Sequence, residues 1–132
     1  MTQQQIMTFH VNELTLGLHV ASLKEINQYD TITPIPLSSG NIKGLINLRG
    51  KIITVFDLSK TLGVANNNNQ SKNYNIVLRD EPVSFIVDII GNVIYIDPKQ
   101  ITPIPANLDG VEKKYVSGVI KLKEKLIIMI NF

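Results

Sequence analysis

Ile32-Thr33-Pro34-Ile35-Pro36 is written a second time in this chain, as Ile101-Thr102-Pro103-Ile104-Pro105. Each copy follows an apolar run, Leu16–Ile26 or Val83–Tyr95, and precedes another. The following runs agree as well. Lys43-Gly44-Leu45-Ile46-Asn47-Leu48-Arg49-Gly50-Lys51-Ile52-Ile53 aligns with Ser117-Gly118-Val119-Ile120-Lys121-Leu122-Lys123-Glu124-Lys125-Leu126-Ile127, matching Gly44 with Gly118, Ile46 with Ile120, Leu48 with Leu122, Lys51 with Lys125 and Ile53 with Ile127. A pentapeptide alone is an easy coincidence in an Ile-rich chain; agreement on both sides of it is not. A repeat of about half the chain predicts two similar subdomains rather than a solenoid.

The chain's 132 residues suit one domain, or two very small ones sharing a core. With 44% hydrophobic and 18% charged residues, the composition is that of a soluble globular protein. There is no Cys, so disulfides, thiolate metal sites and thiol catalysis are excluded. The start, Met1-Thr2-Gln3-Gln4-Gln5, is unlike a signal peptide, and no apolar run approaches the roughly 20 residues of a membrane helix. A cytoplasmic protein is expected. A net charge of +2 falls short of the basic excess of nucleic-acid binders.

Ile and Val dominate the apolar residues, which favours strands. Short apolar runs at Ile6–Val11, Leu14–Val20, Leu45–Leu48, Ile52–Phe56, Tyr74–Leu78, Val83–Val87, Val93–Ile96, Val119–Leu122 and Leu126–Ile130 read as strands. Asn12-Glu13, Arg49-Gly50, Asp80-Glu81-Pro82, Gly91-Asn92 and Lys123-Glu124 read as the turns between them. Many short strands predict an all-β barrel or sandwich. Helix is confined to a turn within Val20–Asn27, a turn at Leu58–Leu62 between Asp57 and Gly63, and a start at Asp97-Pro98-Lys99-Gln100. Asn-rich Asn66–Asn73 reads as a surface loop between the subdomains.

Residues that could carry chemistry mostly have a plainer reading. His10 and His19 lie in predicted strands without further metal ligands nearby in sequence. Asp57 and Asp88 end strands, where they suit caps and turns better than catalysis. Ser22, Ser84 and Ser117 lie in no nucleophile elbow. Neither a metal nor a cofactor is expected. Lys113-Lys114 and Lys121, Lys123 and Lys125 form a basic patch, the last three expected on one solvent face, without the aromatic interleaving of a nucleic-acid platform. Arg49 stands apart. The chain has eleven Lys and two Arg, and Arg49 occupies a turn that becomes Lys123-Glu124 in the second copy. A planar guanidinium suits recognition of carboxylates and carbonyls.

Asn41-Ile42-Lys43-Gly44-Leu45-Ile46-Asn47-Leu48-Arg49-Gly50-Lys51-Ile52-Ile53-Thr54-Val55-Phe56-Asp57-Leu58 closely resembles the signature of the CheW family, the coupling proteins of bacterial chemotaxis. The resemblance extends over Met7–Phe9, Gly17–Ile26, Phe85–Asp88 and Tyr115–Asn131, nearly the whole chain in family order. It implies a mainly β fold: two five-stranded, SH3-like β-barrels with short helical turns, related by a pseudo-twofold, in a single domain over residues 1–132 with a boundary near 66–73. It also implies a non-enzymatic adaptor linking methyl-accepting chemoreceptors to the histidine kinase CheA in cytoplasmic arrays at the membrane. Pairing with the kinase regulatory domain, and of the adaptor with itself, would build rings. Carried over by position, Arg49 is the recognition arginine, Val93 an apolar position in the receptor groove, and Val20, Leu23 and Glu25 face the kinase. Asn47, Gly44 and Gly50 shape the turn. Thr54 departs from the family's usual Pro, which softens an expected strand kink. The chain stops at Asn131-Phe132, where a C-terminal helix is expected in the family.

Other readings are a CheW-like adaptor of another chemosensory pathway and a fragment of a CheV- or CheA-type protein. From a different class comes a small-barrel nucleic-acid binder, which would show salt-dependent binding to single strands.

Overall fold

The computed structural model describes residues 3–28, 32–35, 40–63, 74–106 and 113–131. The predicted 66–73 loop lies outside them. Among the described residues there are eleven strands: β1 Gln4–Val11, β2 Leu14–His19, β3 Leu23–Gln28, β4 Ile42–Leu48, β5 Lys51–Asp57, β6 Tyr74–Leu78, β7 Val83–Val87, β8 Ile89–Ile96, β9 Ile101–Thr102, β10 Val116–Leu122 and β11 Lys125–Ile130. The described residues also form one α-helix, α1 Leu58–Leu62, and 3-10 turns at Val20–Ser22, Pro98–Gln100 and Lys113–Tyr115. α1 begins and ends as its sequence dictates. The Asp57 carboxylate accepts from the Lys60 N–H, and Gly63 closes the last turn at φ 73°.

The strands form two sheets. The central sheet runs β3-β6-β7-β5-β4; the terminal sheet, drawn from both ends of the chain, runs β8-β1-β2-β11-β10-β9. The orders correspond strand for strand, with β8, β1, β2, β11 and β10 standing for β3, β6, β7, β5 and β4. The hands correspond too: β5 with β7 and β11 with β2 are the parallel ladders, and the rest are antiparallel. The expected pseudo-twofold is present. The expected five strands hold for the central sheet, while the terminal sheet gains a two-residue sixth, β9.

The repeated pentapeptide supplies that extra piece. Thr102 of β9 pairs with Val119, and Thr33 makes an isolated bridge with Leu45. The next residue inward is the matched glycine. A Cβ on Gly44 would lie 2.3 Å from the Thr33 carbonyl oxygen, and one on Gly118 would lie 2.7 Å from that of Thr102. Each glycine also sits at a register shift, between Ile42 and Gly44 or between Val116 and Gly118. Ile-Thr crosses over a bulged strand in both copies, and only glycine leaves room for the crossing.

Three apolar clusters hold the molecule. Ile6, Ile96, Ile120, Ile127 and Met129 fill the terminal sheet; Ile46, Leu48, Ile53, Val55 and Val77 fill the central one. Each cluster draws on both halves of its sheet, so each sheet is curled into a barrel around its own core. The third and largest cluster lies between the sheets and includes Phe9, Leu18, Leu78, Phe85, Ile128 and the helix residues Leu58 and Leu62. Phe9 and Phe85, one from each sheet, meet with ring centroids 5.8 Å apart. Strands such as β6 and β11 are therefore buried on both faces. Their runs read as nearly continuous apolar stretches rather than alternating ones. Burial of each such Leu or Phe contributes about 1.5–3 kcal/mol.

The turn expected within Val20–Asn27 is the 3-10 turn Val20–Ser22, next to strand β3. Two local expectations are corrected. Gly91-Asn92 is not a turn: β8 passes through it as an irregularity opposite Thr8. The Thr8 hydroxyl donates to the Asn92 carbonyl at 2.8 Å and accepts the Asn92 N–H at 2.9 Å, and a Cβ on Gly91 would strike that hydroxyl at 2.5 Å. Lys121, Lys123 and Lys125 do not share one face. Lys121 pairs with Leu126 and Lys125 with Leu122; those leucines pack against different cores, so the two lysines lie on opposite faces.

Candidate functional site

The β4–β5 hairpin turns on two residues, Arg49 and Gly50, at φ 51° and 87°. A two-residue turn with both φ positive is the mirror-image type, whose twist matches that of the flanking strands. Asn47 holds it from below, its Oδ1 accepting the Gly50 N–H at 2.9 Å. Nothing lies within 4 Å of a Cβ placed on Gly50, so backbone conformation rather than space selects glycine there. In the matched hairpin neither Lys123 nor Glu124 has positive φ. The two copies thus differ in backbone as well as in side chain.

The guanidinium of Arg49 reaches across to β3. Nη1 donates to Glu25 Oε1 at 2.7 Å, with a longer Nη2 contact to Oε2 at 3.4 Å. The second carboxylate oxygen accepts Asn27 Nδ2 at 2.6 Å. Arg49 is 70% exposed and Glu25 22%. The hydrogen bond from Arg49 holds the Glu25 carboxyl below its ordinary pKa against the opposing effect of burial, and Asn27 adds to the lowering.

Val20 lies in the 3-10 turn that links the sheets, and Leu23 opens β3, packed against the inter-sheet core. Sequence reasoning missed what fixes this link. Arg79, just beyond β6, donates through Nε to the Ala21 carbonyl at 3.1 Å and through Nη2 to that of Leu23 at 3.0 Å. Its own N–H donates to the Ser22 carbonyl at 2.9 Å. Its rarity was the available signal: both arginines in an eleven-lysine chain make multidentate contacts. Arg49, Glu25, Asn47 and Gly50 thus form one cluster on the central sheet, with Val20 and Leu23 along the same edge. Val93 belongs to the other sheet. It lies on edge strand β8, 41% exposed, opposite Met7 and two residues before exposed Tyr95. The twofold equivalent of Val93 is Ile26, which packs into the inter-sheet core instead.

The remaining polar candidates hold up the fold. Asp57 caps α1 and also accepts the Ser59 hydroxyl at 2.7 Å. Asp88, the single residue between β7 and β8, accepts the Asn12 N–H at 2.8 Å. That bond supports the β1–β2 turn, where Asn12 has φ 55°. His10 Nδ1 lies 3.3 Å from the Thr15 hydroxyl. His19 flanks the 3-10 turn without a side-chain cap bond. Thr54 uses the N–H that a proline would lack, donating to the Pro82 carbonyl at 3.0 Å. Among the described residues, no three His, Asp or Glu side chains gather into a metal-binding set, and no helix is long and apolar enough to cross a membrane.

A CheW-like domain model matches residues 5–132. The chemotaxis protein CheW of Thermotoga maritima is 30% identical, the match covering 96% of this chain and 83% of that protein. Chemotaxis protein CheW of Klebsiella aerogenes is 27% identical over 97% of this chain and 78% of its own length. The crystal structure of the scaffolding protein TtCheW from Thermoanaerobacter tengcongensis superposes with a TM-score of 0.89 at 34% identity, covering 100% of this chain and 86% of that one.

Proposed function

The chain belongs to the CheW-like domain family, and on that premise we propose that it is a chemotaxis coupling adaptor. It works by binding rather than by catalysis, joining chemoreceptors to the histidine kinase CheA at arrays on the membrane. The observation that carries the reading at the level of residues is Arg49. Its guanidinium is exposed, anchored by Glu25, and mounted on a turn whose backbone is set by Gly50 and Asn47. Arg anchored in this way is the side chain most suited to carry an interface, because less of its freedom remains to be lost on binding. The kinase regulatory domain is the partner assigned to this edge, with Val20, Leu23 and Glu25 alongside. The receptor tip is assigned to the apolar surface around Val93, on the other sheet. Surfaces on separate sheets suit a coupler, which holds two partners at once.

Calorimetry of the chain with the cognate CheA regulatory domain and with a receptor signalling tip tests the proposal. Saturable binding to both is expected, with Arg49→Ala weakening the kinase contact at least ~10-fold. Val93→Asp should impair the receptor contact more than the kinase contact. Absence of binding to either partner would overturn the adaptor reading, and equal losses in the Val93 variant would overturn the division of surfaces.

A further inference from the structure

The central barrel has polar groups in its interior that no atom of the described residues satisfies. Asn75 is 1% exposed and Ser84 0% exposed. The Oδ1 and Nδ2 of Asn75 and the Oγ of Ser84 are buried without a hydrogen-bond partner, as is Oδ1 of Asn27. The ladder puts these residues in one row. Asn27 is directly opposite Asn75 across β3 and β6. Asn75 and Ser84 are diagonal neighbours across β6 and β7, where Asn75 pairs with Ile86 and Val77 with Ser84. Val77 and Ile86 pack in the central barrel's own core, so the row points inward with them.

The terminal barrel answers the same three positions differently. By register, Asn27, Asn75 and Ser84 correspond to Ile94, Ile6 and Gly17. There the row is apolar and closely packed. Ile6 and Ile94 join the terminal core, and a Cβ on Gly17 would lie 2.9 Å from Ile6 Cγ2. Asn is smaller than Ile. Two such exchanges release more room than the hydroxymethyl of Ser84 refills, in the place where four polar atoms lack partners. A buried amide or hydroxyl left unpaired is destabilising, and a buried water makes about three hydrogen bonds to such groups.

We propose that the inner face of the central sheet binds ordered water at the row Asn27-Asn75-Ser84, and that the hydrated row positions Glu25 for Arg49. The connection runs through one side chain. Asn27 faces the row with Oδ1 and donates Nδ2 to the Glu25 carboxylate at 2.6 Å. Water on Oδ1 fixes the amide plane, and the fixed amide holds the carboxylate whose other oxygen receives Arg49 at 2.7 Å. Asn27, Asn75 and Ser84 are positioning residues. The water site stands independently of any partner assigned to Arg49.

Three measurements on the full chain test this. A high-resolution crystal structure should show water within hydrogen-bond distance of Asn75 and of Ser84 Oγ; a row without water would overturn the proposal. Ser84→Ala should melt about 3–6 °C below the parent, because its loss strands the water and the Asn75 amide. A variant melting at or above the parent would mean that an unpaired hydroxyl had been removed from a dry core, and would also overturn it. Glu25 titration, followed by carboxyl NMR, should move up towards the ordinary carboxylate range in Asn75→Leu. An unmoved titration in that folded variant would break the link to Glu25, which a purely structural role of Asn75 predicts.

Discussion

The terminal and central sheets share a strand order, one parallel ladder each and a glycine beneath an Ile-Thr crossing, yet they differ at one hairpin turn and along one interior row. One hairpin carries Arg49-Gly50 in a mirror-image turn; the other carries Lys123-Glu124. One interior is apolar at Ile94, Ile6 and Gly17; the other is polar at Asn27, Asn75 and Ser84. The comparison separates two demands on one architecture. Ladder order and the crossing glycine define the fold in both copies, while among the described residues the ion pair, the mirror-image turn and the polar row belong to the central sheet.

The largest expected effect tests the shared part. Gly44→Val and Gly118→Val should each destabilise by roughly 3 kcal/mol or more in urea unfolding, since the Cβ meets backbone rather than a flexible tip. Gly44 should cost more, with its closer carbonyl and a φ of 155°. Equal tolerance of both would break the idea that the crossing defines the repeat. Next comes Thr54→Pro, which removes the bond to Pro82 inside a sheet and should cost about 1–3 kcal/mol by the same measurement. Unchanged stability would show that the strand bends equally well without that bond.

Smaller effects sharpen the difference between the hairpins. Arg49→Gly should leave the melting temperature unchanged or slightly raised, because glycine suits φ 51° and the exposed ion pair is worth about 0–1 kcal/mol. Kinase-domain binding should still fall. A melting loss of many degrees would make Arg49 a fold residue like Gly44. The smallest effect is in pH. The folded Glu25 pKa is depressed, so its contribution is full above the unfolded value, near the ordinary 4.5, and fades as pH falls through the folded value. Against Glu25→Gln, the parent's advantage should shrink on acidification from pH ~6 to ~3 and remain under about 1 kcal/mol throughout. A constant difference would remove Arg49 as the cause.

Most of the fold was legible in the sequence because β-branched runs and turn residues announce strands directly, and the duplication announced their arrangement. Where reading stopped, tertiary context had decided the matter. β3, Leu-Lys-Glu-Ile-Asn-Gln, is too polar to announce a strand; its Glu25 is tied down by Arg49 and by Asn27 of the same strand. Gly91-Asn92 has the composition of a turn and serves as a bulge because Thr8 occupies the space beside it. The turn cluster was half visible. Arg49 stood out by type, but its pairing with Glu25 depends on how β3 lies relative to β4, across three intervening strands of the sheet. The inward direction of Asn75 and Ser84 was hidden for a related reason. In strands buried on both faces, sequence gives no sign of which core a residue enters.

Strand provenance also sets an order of events in time. β3 to β7 are consecutive, so the central sheet has all its strands once Val87 has been made. The terminal sheet must wait for β11, the last strand, to lie parallel to β2, with Ile127 beside Thr15. On a ribosome, β2 emerges before any strand of the central sheet, and its parallel neighbour β11 only after all of them. Refolding from denaturant should show the same asymmetry, with the ring-bearing Tyr74 and Phe85 of the central sheet protected before the β2–β11 ladder closes.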